Sequence, residues 1–217
     1  MAGEQVLVVE DNRTSMKLFR DVLLATGYRP LEAEALRLRS ILERKFGDYA
    51  AAEKTLYEAL RAAESGQHDR EKAKVWTALV DVVGTQLGRP DAALEHAKNA
   101  AAVLERVHDP DLEGSLANSV GIVLDKKGDH EAALARFQIA VEIFTRAHGA
   151  EHPHTLSALD NVGHQQLALA RYADAATTYQ RVLALRERAL GSEHPLVAAS
   201  TDNVGDALRA QQANTSQ

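Results

Sequence analysis

KGDHEAALARFQIAV, residues 127–141, is one of four segments of this chain that align with one another without gaps. The others are FGDYAAAEKTLYEAL (46–60), LGRPDAALEHAKNAA (87–101) and LARYADAATTYQRVL (169–183). Their second positions are Gly47, Gly88, Gly128 and Ala170, which are spaced by 41, 40 and 42 residues. An internal repeat therefore organises most of the 217-residue chain, as in proteins that stack one structural unit many times.

Side chains recur at fixed offsets from these four turn residues. Positions five, nine and twelve residues later share one helical face, because side chains three and four residues apart on an α-helix are neighbours. Small or short side chains recur seven residues before the turn, at Ser40, Asp81, Gly121 and Gly163, with a fifth copy at Gly205. Each unit is predicted to be a hairpin of helices A and B that cross closely at these small residues.

This pattern resembles the tetratricopeptide repeat, and Gly121, Gly128, Ala133, Phe137 and Ala140 match its glycines and its Ala–aromatic–Ala series. The 42-residue spacing, with EHP before helix A and DNVG within it, is similar to kinesin-light-chain repeats. The stretch from about 33 to 209 also resembles the C-terminal helical region of some bacterial eukaryote-like serine/threonine kinases. The resemblance implies an all-α fold, a right-handed superhelical α-solenoid of about four hairpins plus a C-terminal capping helix.

The composition agrees with an all-helical protein. Alanine occurs 38 times and aromatic residues make up 5%, which favours helices in close contact. Cysteine is absent, which excludes disulfides, thiolate metal sites and a cysteine nucleophile. A net charge of −6 argues against a nucleic-acid partner. No apolar run is long enough for a membrane span, and the N-terminus does not have the features of a secretory signal, so we expect a cytoplasmic protein.

The first thirty residues do not follow the repeat. QVLVV (5–9) predicts a short strand, and an amphipathic helix is expected from Thr14 to Thr26. This stretch resembles the opening of a response-regulator receiver domain, in which Glu10 and Asp11 would be the acidic pair that helps to hold magnesium. The later phosphoacceptor Asp, Ser or Thr, and Lys of a receiver cannot be placed. Two carboxylates alone make only a weak magnesium site.

The chain is therefore interpreted as a receiver-like β1–α1 fragment (1–32), a repeat domain (33–210) and a polar tail (211–217). The fragment is expected to pack as an N-terminal cap on the first hairpin or to stay partly loose. Natural recombination, a gene-model error or a designed chimera could each explain it. An uncovered VLVV edge would favour self-association through this strand.

Polar residues in the middle of the A helices are the candidate binding site. Asparagine and aspartate are unfavourable there, so something is expected to hold them in place. One interpretation is a polar ladder that bonds the backbone of an extended peptide, and the other is hydrogen bonding between repeats. Tetratricopeptide domains that bind chain termini use a helix-A Asn matched by Asn161 and Asn203, with Lys126 as the lone basic candidate. The polar ladder comprises Asn118, Asp160, Asn161, His164, Asp202, Asn203 and Asp206.

A histidine cluster precedes the fourth A helix, at His148, His152 and His154, and His194 precedes the fifth. Because these histidines recur with the repeat, a turn or helix-capping role is expected, and no metal or other cofactor is assigned. None of the G-x-S-x-G, P-loop, G-x-G-x-x-G or kinase signatures occurs.

The sequence therefore predicts a non-enzymatic scaffold that binds a protein or peptide in the groove of the A helices. Because the ladder is acidic, a neutral or basic partner is expected. The alternatives are a two-component-type signalling protein that uses the receiver-like segment, and a recombined chimera with no evolved partner.

Overall fold

The computed structural model describes residues 29–215, and that range is all-helical, with no strand. The short β-strand and helix expected before residue 29 lie outside the described residues. The helices of the described range are α1 (Arg29–Lys45), α2 (Tyr49–Ser65), α3 (Asp69–Asp81), α4 (Pro90–Val107), α5 (Pro110–Lys126), α6 (His130–His148), α7 (Pro153–Ala168), α8 (Tyr172–Leu190) and α9 (Pro195–Thr215).

The helices pair as four hairpins, α1–α2, α3–α4, α5–α6 and α7–α8, and α9 packs on the last. The predicted turn residues join the two helices of each hairpin in the left-handed backbone region. Their φ angles are +79° at Gly47, +65° at Gly88, +82° at Gly128 and +56° at Ala170. Glycine adopts this region without steric cost, whereas Ala170 adopts it despite the steric cost of its Cβ. The expected fold class, an α-solenoid of four hairpins with a C-terminal capping helix, is confirmed.

The repeated positions on the B helices form the core. Because an isolated hairpin leaves one apolar face open to water, successive hairpins must cover one another. All of the positions predicted for that face are buried, with at most 8% of any residue exposed. They are Ala52, Leu56, Ala59, Ala93, Ala97, Ala100, Ala133, Phe137, Ala140, Ala175, Tyr179 and Val182.

Aromatic rings lie on helix glycines where the two helices of a hairpin cross. A Cβ added at Gly121 would come within 2.6 Å of the Phe137 ring, and one added at Gly163 within 2.7 Å of the Tyr179 ring. Real Cβ atoms do not approach so closely, so only glycine permits these crossings. A Cβ added at Gly114, seven residues before Gly121, would likewise come within 2.6 Å of the Phe144 ring, a pairing that the repeat alignment did not single out.

The second hairpin differs from this pattern. Asp81 stands at the predicted crossing position, but it is half-buried and hydrogen-bonded to Ser119 on α5. A π-helical turn (Val82–Gln86) follows it and carries Gly84, where an added Cβ would lie 2.5 Å from the Val123 side chain on α5 and 2.8 Å from the Cβ of Ala93 on α4. Asp81 departs from the small-residue pattern of the other repeats, and in this hairpin the close backbone approach falls at Gly84, in the wider turn.

The boundaries of the repeat region also differ from the expected ones. Helix α1 begins at Arg29, before the predicted start of the repeat domain at residue 33. Helix α9 continues to Thr215, so most of the expected polar tail from residue 211 is the last turn of the capping helix.

Replacing one crossing glycine and one glycine outside a crossing should separate packing from helix propensity. Gly163→Ala should lower the free energy of unfolding by about 1–3 kcal/mol, because the new methyl group overlaps the Tyr179 ring. Gly205→Ala meets only the Arg209 guanidinium, at 3.5 Å, and should raise it by up to about 1 kcal/mol through better helix propensity. Urea denaturation measures the free energy of unfolding of both variants. Equal changes of the same sign would contradict the conclusion that the helices cross closely at Gly163.

Candidate functional site

The polar ladder lies on three successive A helices, α5, α7 and α9. Each member of the ladder stands three residues before, two residues before or one residue after the glycine of its own helix, which is Gly121, Gly163 or Gly205. The alignment places Asn118 level with Asp160 and Asp202, not with the other asparagines. Asn161 and Asn203 share the second position, and His164 and Asp206 share the third.

Asn118 and Asn161 are brought together across the junction of the third and fourth hairpins. The Asn161 Nδ2 donates a hydrogen bond to the Asn118 Oδ1 at 2.9 Å, and both residues are half-buried. One amide-to-amide bond leaves an acceptor oxygen on Asn161 and an NH₂ donor on Asn118. Neither of these groups bonds another side chain within residues 29–215. The pair therefore bridges two repeats and keeps donor and acceptor capacity for another group.

Asp160 has a different partner, Arg186 on α8. The buried guanidinium bonds both oxygens of the Asp160 carboxylate and donates from Nη1 to the Ser200 Oγ on α9 at 2.7 Å. Burial raises the pKa of the Asp160 carboxyl, while the charge of Arg186 opposes the rise. This network joins α7, α8 and α9, so Asp160 fixes the capping helix and does not present a free charge.

The outer part of the ladder is exposed. Asp206 pairs with Arg209 one helical turn away on α9, and Asp202 is exposed. Asn203 is half-buried, and within residues 29–215 neither it nor Asp202 bonds another side chain. Because Asp160 and Asp206 are neutralised by arginines, the ladder is less acidic than its sequence suggests.

His164 lies at the end of a second polar chain between the third and fourth hairpins. The buried Gln165 side chain places its Nε2 3.2 Å from the His164 Nδ1 and accepts from the His130 Nδ1 at 3.0 Å. The His130 Nδ1 also lies 3.2 Å from the Asp125 carboxylate. Lys126, the basic candidate, donates to the Thr85 carbonyl in the π-helical turn after α3, at 2.8 Å. This contact fixes the Lys126 amine between α5 and the π-helical turn.

The rings of the histidines before α7 stack on one another, and one of them caps the N-terminus of that helix. His148 and His152 have ring centroids 4.3 Å apart, and His148 also bonds Asp111 on α5. The His152 Nδ1 accepts from the His154 backbone N–H at 3.3 Å, and the His194 Nδ1 caps α9 in the same way through Leu196 at 3.1 Å. The expected capping role therefore matches the structure at both positions.

Within the described range, no group of three or more His, Asp or Glu side chains is arranged to hold a metal ion. Glu10 and Asp11, the weak magnesium candidates, lie outside that range. None of the helices between residues 29 and 215 is long and apolar enough to cross a bilayer.

Two buried residues of this site, Arg186 and Gln165, were missed by sequence reasoning. Aligning the repeats gives a sequence signal that identifies both residues. Arg186 stands at the position of Phe144 and Leu104, sixteen residues after the turn, and Gln165 stands at the position of Val123. A polar side chain where the other copies are apolar indicates a buried polar contact, because such a group must find a partner when it is buried.

The fold and junctions define a repeat array of antiparallel helix pairs, and residues 112–187 match the family model of the tetratricopeptide repeat. These residues cover most of the third and fourth hairpins, where the ring-on-glycine crossings occur. No curated protein shows significant sequence similarity to the chain.

Solved structures share the fold at low sequence identity. BtubC (BKLC) from P. vanneervenii superposes with a TM-score of 0.78 at 21% identity, over 92% of this chain and 82% of BtubC. The nearly identical TPR-like repeats of a Podosopora anserina protein assigned as a kinesin light chain superpose with a TM-score of 0.70 at 17% identity, over 84% of this chain and 88% of that chain. The apo form of RapI superposes with a TM-score of 0.72 at 13% identity, over 92% of this chain but only 58% of RapI. These likenesses show the fold alone.

Breaking the buried ion pair should destabilise the protein strongly. Asp160→Ala leaves the Arg186 guanidinium buried without its carboxylate and should cost about 3 kcal/mol of unfolding free energy. Asp206→Ala removes the matched exposed ion pair with Arg209 and should lower the free energy of unfolding by no more than about 0.5 kcal/mol. Chemical denaturation of both variants tests this, and similar costs would show that the Asp160 pair is not buried in solution.

The histidine stack should make stability depend on pH. Burial, together with the charges of His148 and His154, lowers the pKa of His152 below its ordinary value of 6.5, although Asp111 opposes this. The unfolded chain then binds more protons than the folded one, so stability falls as the pH decreases through 6.5 towards the folded value.

The variant His152→Asn keeps a helix cap and should reduce the loss of Tm between about pH 7.5 and pH 5.5. His194→Asn, at the corresponding cap of α9, should leave that loss unchanged. A pH profile unaffected by His152→Asn would contradict the role of the stack.

Proposed function

We propose that this protein is a non-catalytic interaction scaffold that binds an extended peptide segment of a partner protein along the polar ladder. Tetratricopeptide arrays generally serve as scaffolds of this kind, and the matched repeats carry most of the ladder. The observation that carries the proposal is the half-buried Asn118–Asn161 pair, in which the Asn161 oxygen and the Asn118 NH₂ group bond no other side chain of residues 29–215.

An extended peptide has matching chemistry. Each of its residues offers one backbone N–H and one C=O, and these are the partners that a free amide oxygen and a free NH₂ group need. Asn203 offers a second amide one repeat further on. Because backbone groups are the same in every residue, this recognition fixes the course of the peptide, and the neighbouring side chains would select its sequence.

The charge of the ladder supports a partner segment that is close to neutral. Arg186 neutralises Asp160 and Arg209 neutralises Asp206, so Asp202 is the ladder's one acidic side chain without an ion pair within residues 29–215. One exposed carboxylate gives a weak attraction to cations, since exposed charges are screened by water and salt. We therefore favour a neutral segment over a strongly basic one.

The structural neighbours are compatible with this proposal. BtubC (BKLC), the Podosopora anserina repeats and RapI all use the same kind of helical array. Their low identity transfers no partner to this chain. The proposal therefore rests on the amide pair and the matched repeats.

Peptide selection tests the proposal. Linear peptides selected from a random phage-displayed library on the full chain should bind the Asn161→Ala/Asn203→Ala variant at least about tenfold more weakly, because each lost amide contact costs about 1 kcal/mol or more. Asn99→Ala, an exposed asparagine on helix α4, is the matched control and should bind like the unmodified protein. Fluorescence anisotropy measures the affinities.

Circular dichroism must show equal helix content in all variants. If the selected peptides bind the ladder variant and the unmodified protein equally well, the ladder is not their site. In that case the asparagines serve the contacts between repeats.

A further inference from the structure

The outer face of α1 carries an apolar stripe without a partner among residues 29–215. Leu31, Ala35, Leu38 and Leu42 follow one another at spacings of four, three and four residues, which places them on one side of the helix, and Phe46 follows in the turn after it. Leu31 is 37% exposed, Leu42 38% and Phe46 77%. The opposite side of α1 is already buried by the first hairpin, as shown by Ala33 and Ser40.

The same positions are covered in the later A helices. Val83, Val123, Gln165 and Ala207 correspond to Leu42, and each is at most 1% exposed. The helix that covers them is the B helix of the preceding hairpin. Gln165 bonds His130 on α6, and Ala207 packs with Ala175 and Tyr179 on α8. The α1 stripe therefore stands at the positions that a preceding B helix covers in the later repeats.

The sequence before α1 continues the repeat register. Pro30 stands ten residues before Ser40, as Pro153 stands ten before Gly163 and Pro195 ten before Gly205. Gly27 precedes Pro30 by three residues, close to the four that separate Gly149 and Gly191 from their prolines. Those two glycines end the B helices α6 and α8 with φ angles of +93° and +83°.

The segment before Gly27 has the pattern and the length of a covering helix. Residues 14–26 carry Met16, Phe19, Val22 and Leu23 at helical spacing. Thirteen helical residues span about 20 Å, and the stripe from Leu31 to Leu42 spans about 16 Å, at about 1.5 Å per residue. A short connection at residues 27–28 would return the chain antiparallel along α1.

We propose that residues 14–26 of this chain pack as a helix on the α1 stripe and occupy the place of a preceding B helix. The segment then completes the first repeat junction from its own chain and shields Leu31 and Leu42 from water. This inference is independent of the proposed peptide binding, and its test uses no peptide.

Disulfide trapping tests the placement, because the natural chain has no cysteine. In the full chain, Phe19→Cys/Ala35→Cys should form an intramolecular disulfide under mild oxidation, seen by non-reducing electrophoresis and peptide mass spectrometry. The control pair Phe19→Cys/Ala199→Cys, with its second cysteine at an exposed position on α9, should not. A disulfide between two copies in the first pair would instead show that a second copy covers the stripe, and would overturn the proposal.

Stability gives a second measurement that does not depend on crosslinking geometry. Leu42→Asp should lower Tm by roughly 4–8 °C, whereas Leu208→Asp on α9, 37% exposed in the native chain, should change it by about 1 °C or less. Phe19→Asp should match Leu42→Asp, and the double variant should lose little more than either single variant. Equal, small effects of Leu42→Asp and Leu208→Asp, with no intramolecular disulfide, would show that the stripe stays uncovered and would overturn the proposal.

Discussion

An aromatic ring lying on a helix glycine is the contact on which the third and fourth hairpins of the array depend. Where Phe137 covers Gly121 and Tyr179 covers Gly163, the absence of a Cβ lets the two helices of a hairpin approach at a fixed point. That point sets how each hairpin presents its open face to the next one, and therefore how far apart successive A helices lie. The ladder follows from this spacing, because Asn118 and Asn161 can bond only when α5 and α7 lie side by side.

The two halves of the array hold their junctions together differently. One continuous apolar cluster runs from α2 to α5, and the small residues of the second hairpin close around Gly84. From α5 onward the apolar clusters are smaller, and the buried Gln165 and Arg186 bridge neighbouring helices between them. Polar bridges specify one partner geometry more strictly than apolar contacts, since each buried group must keep its hydrogen bonds. The junctions of the C-terminal half are therefore set by specific side-chain pairs.

Sequence periodicity predicted the parts of the fold that depend on position within a repeat. Gly47, Gly88, Gly128 and Ala170 were identified as turn residues and have positive φ angles. The π-helical turn after Asp81 could not be predicted, because the spacing from Asp81 to Gly88 is the same seven residues as elsewhere and only the path of the backbone differs. The candidate site was predicted as a set of positions, but not its pairing. Asp160 and Arg186 are 26 residues apart, and no helical offset relates them.

Contacts between repeats and ligand binding need not compete at every member of the ladder. Both oxygens of Asp160 are held by Arg186, so a ligand could bond this carboxylate only by displacing a buried guanidinium. The Asn118–Asn161 bond uses one N–H and one lone pair and leaves the Asn161 oxygen and the Asn118 NH₂ group for other partners. It also holds both side chains in place before any partner arrives, which reduces the conformational entropy lost on binding. Under the proposed function, the contact between the repeats preorganises the amides for a peptide backbone, so the two interpretations of the asparagines are compatible.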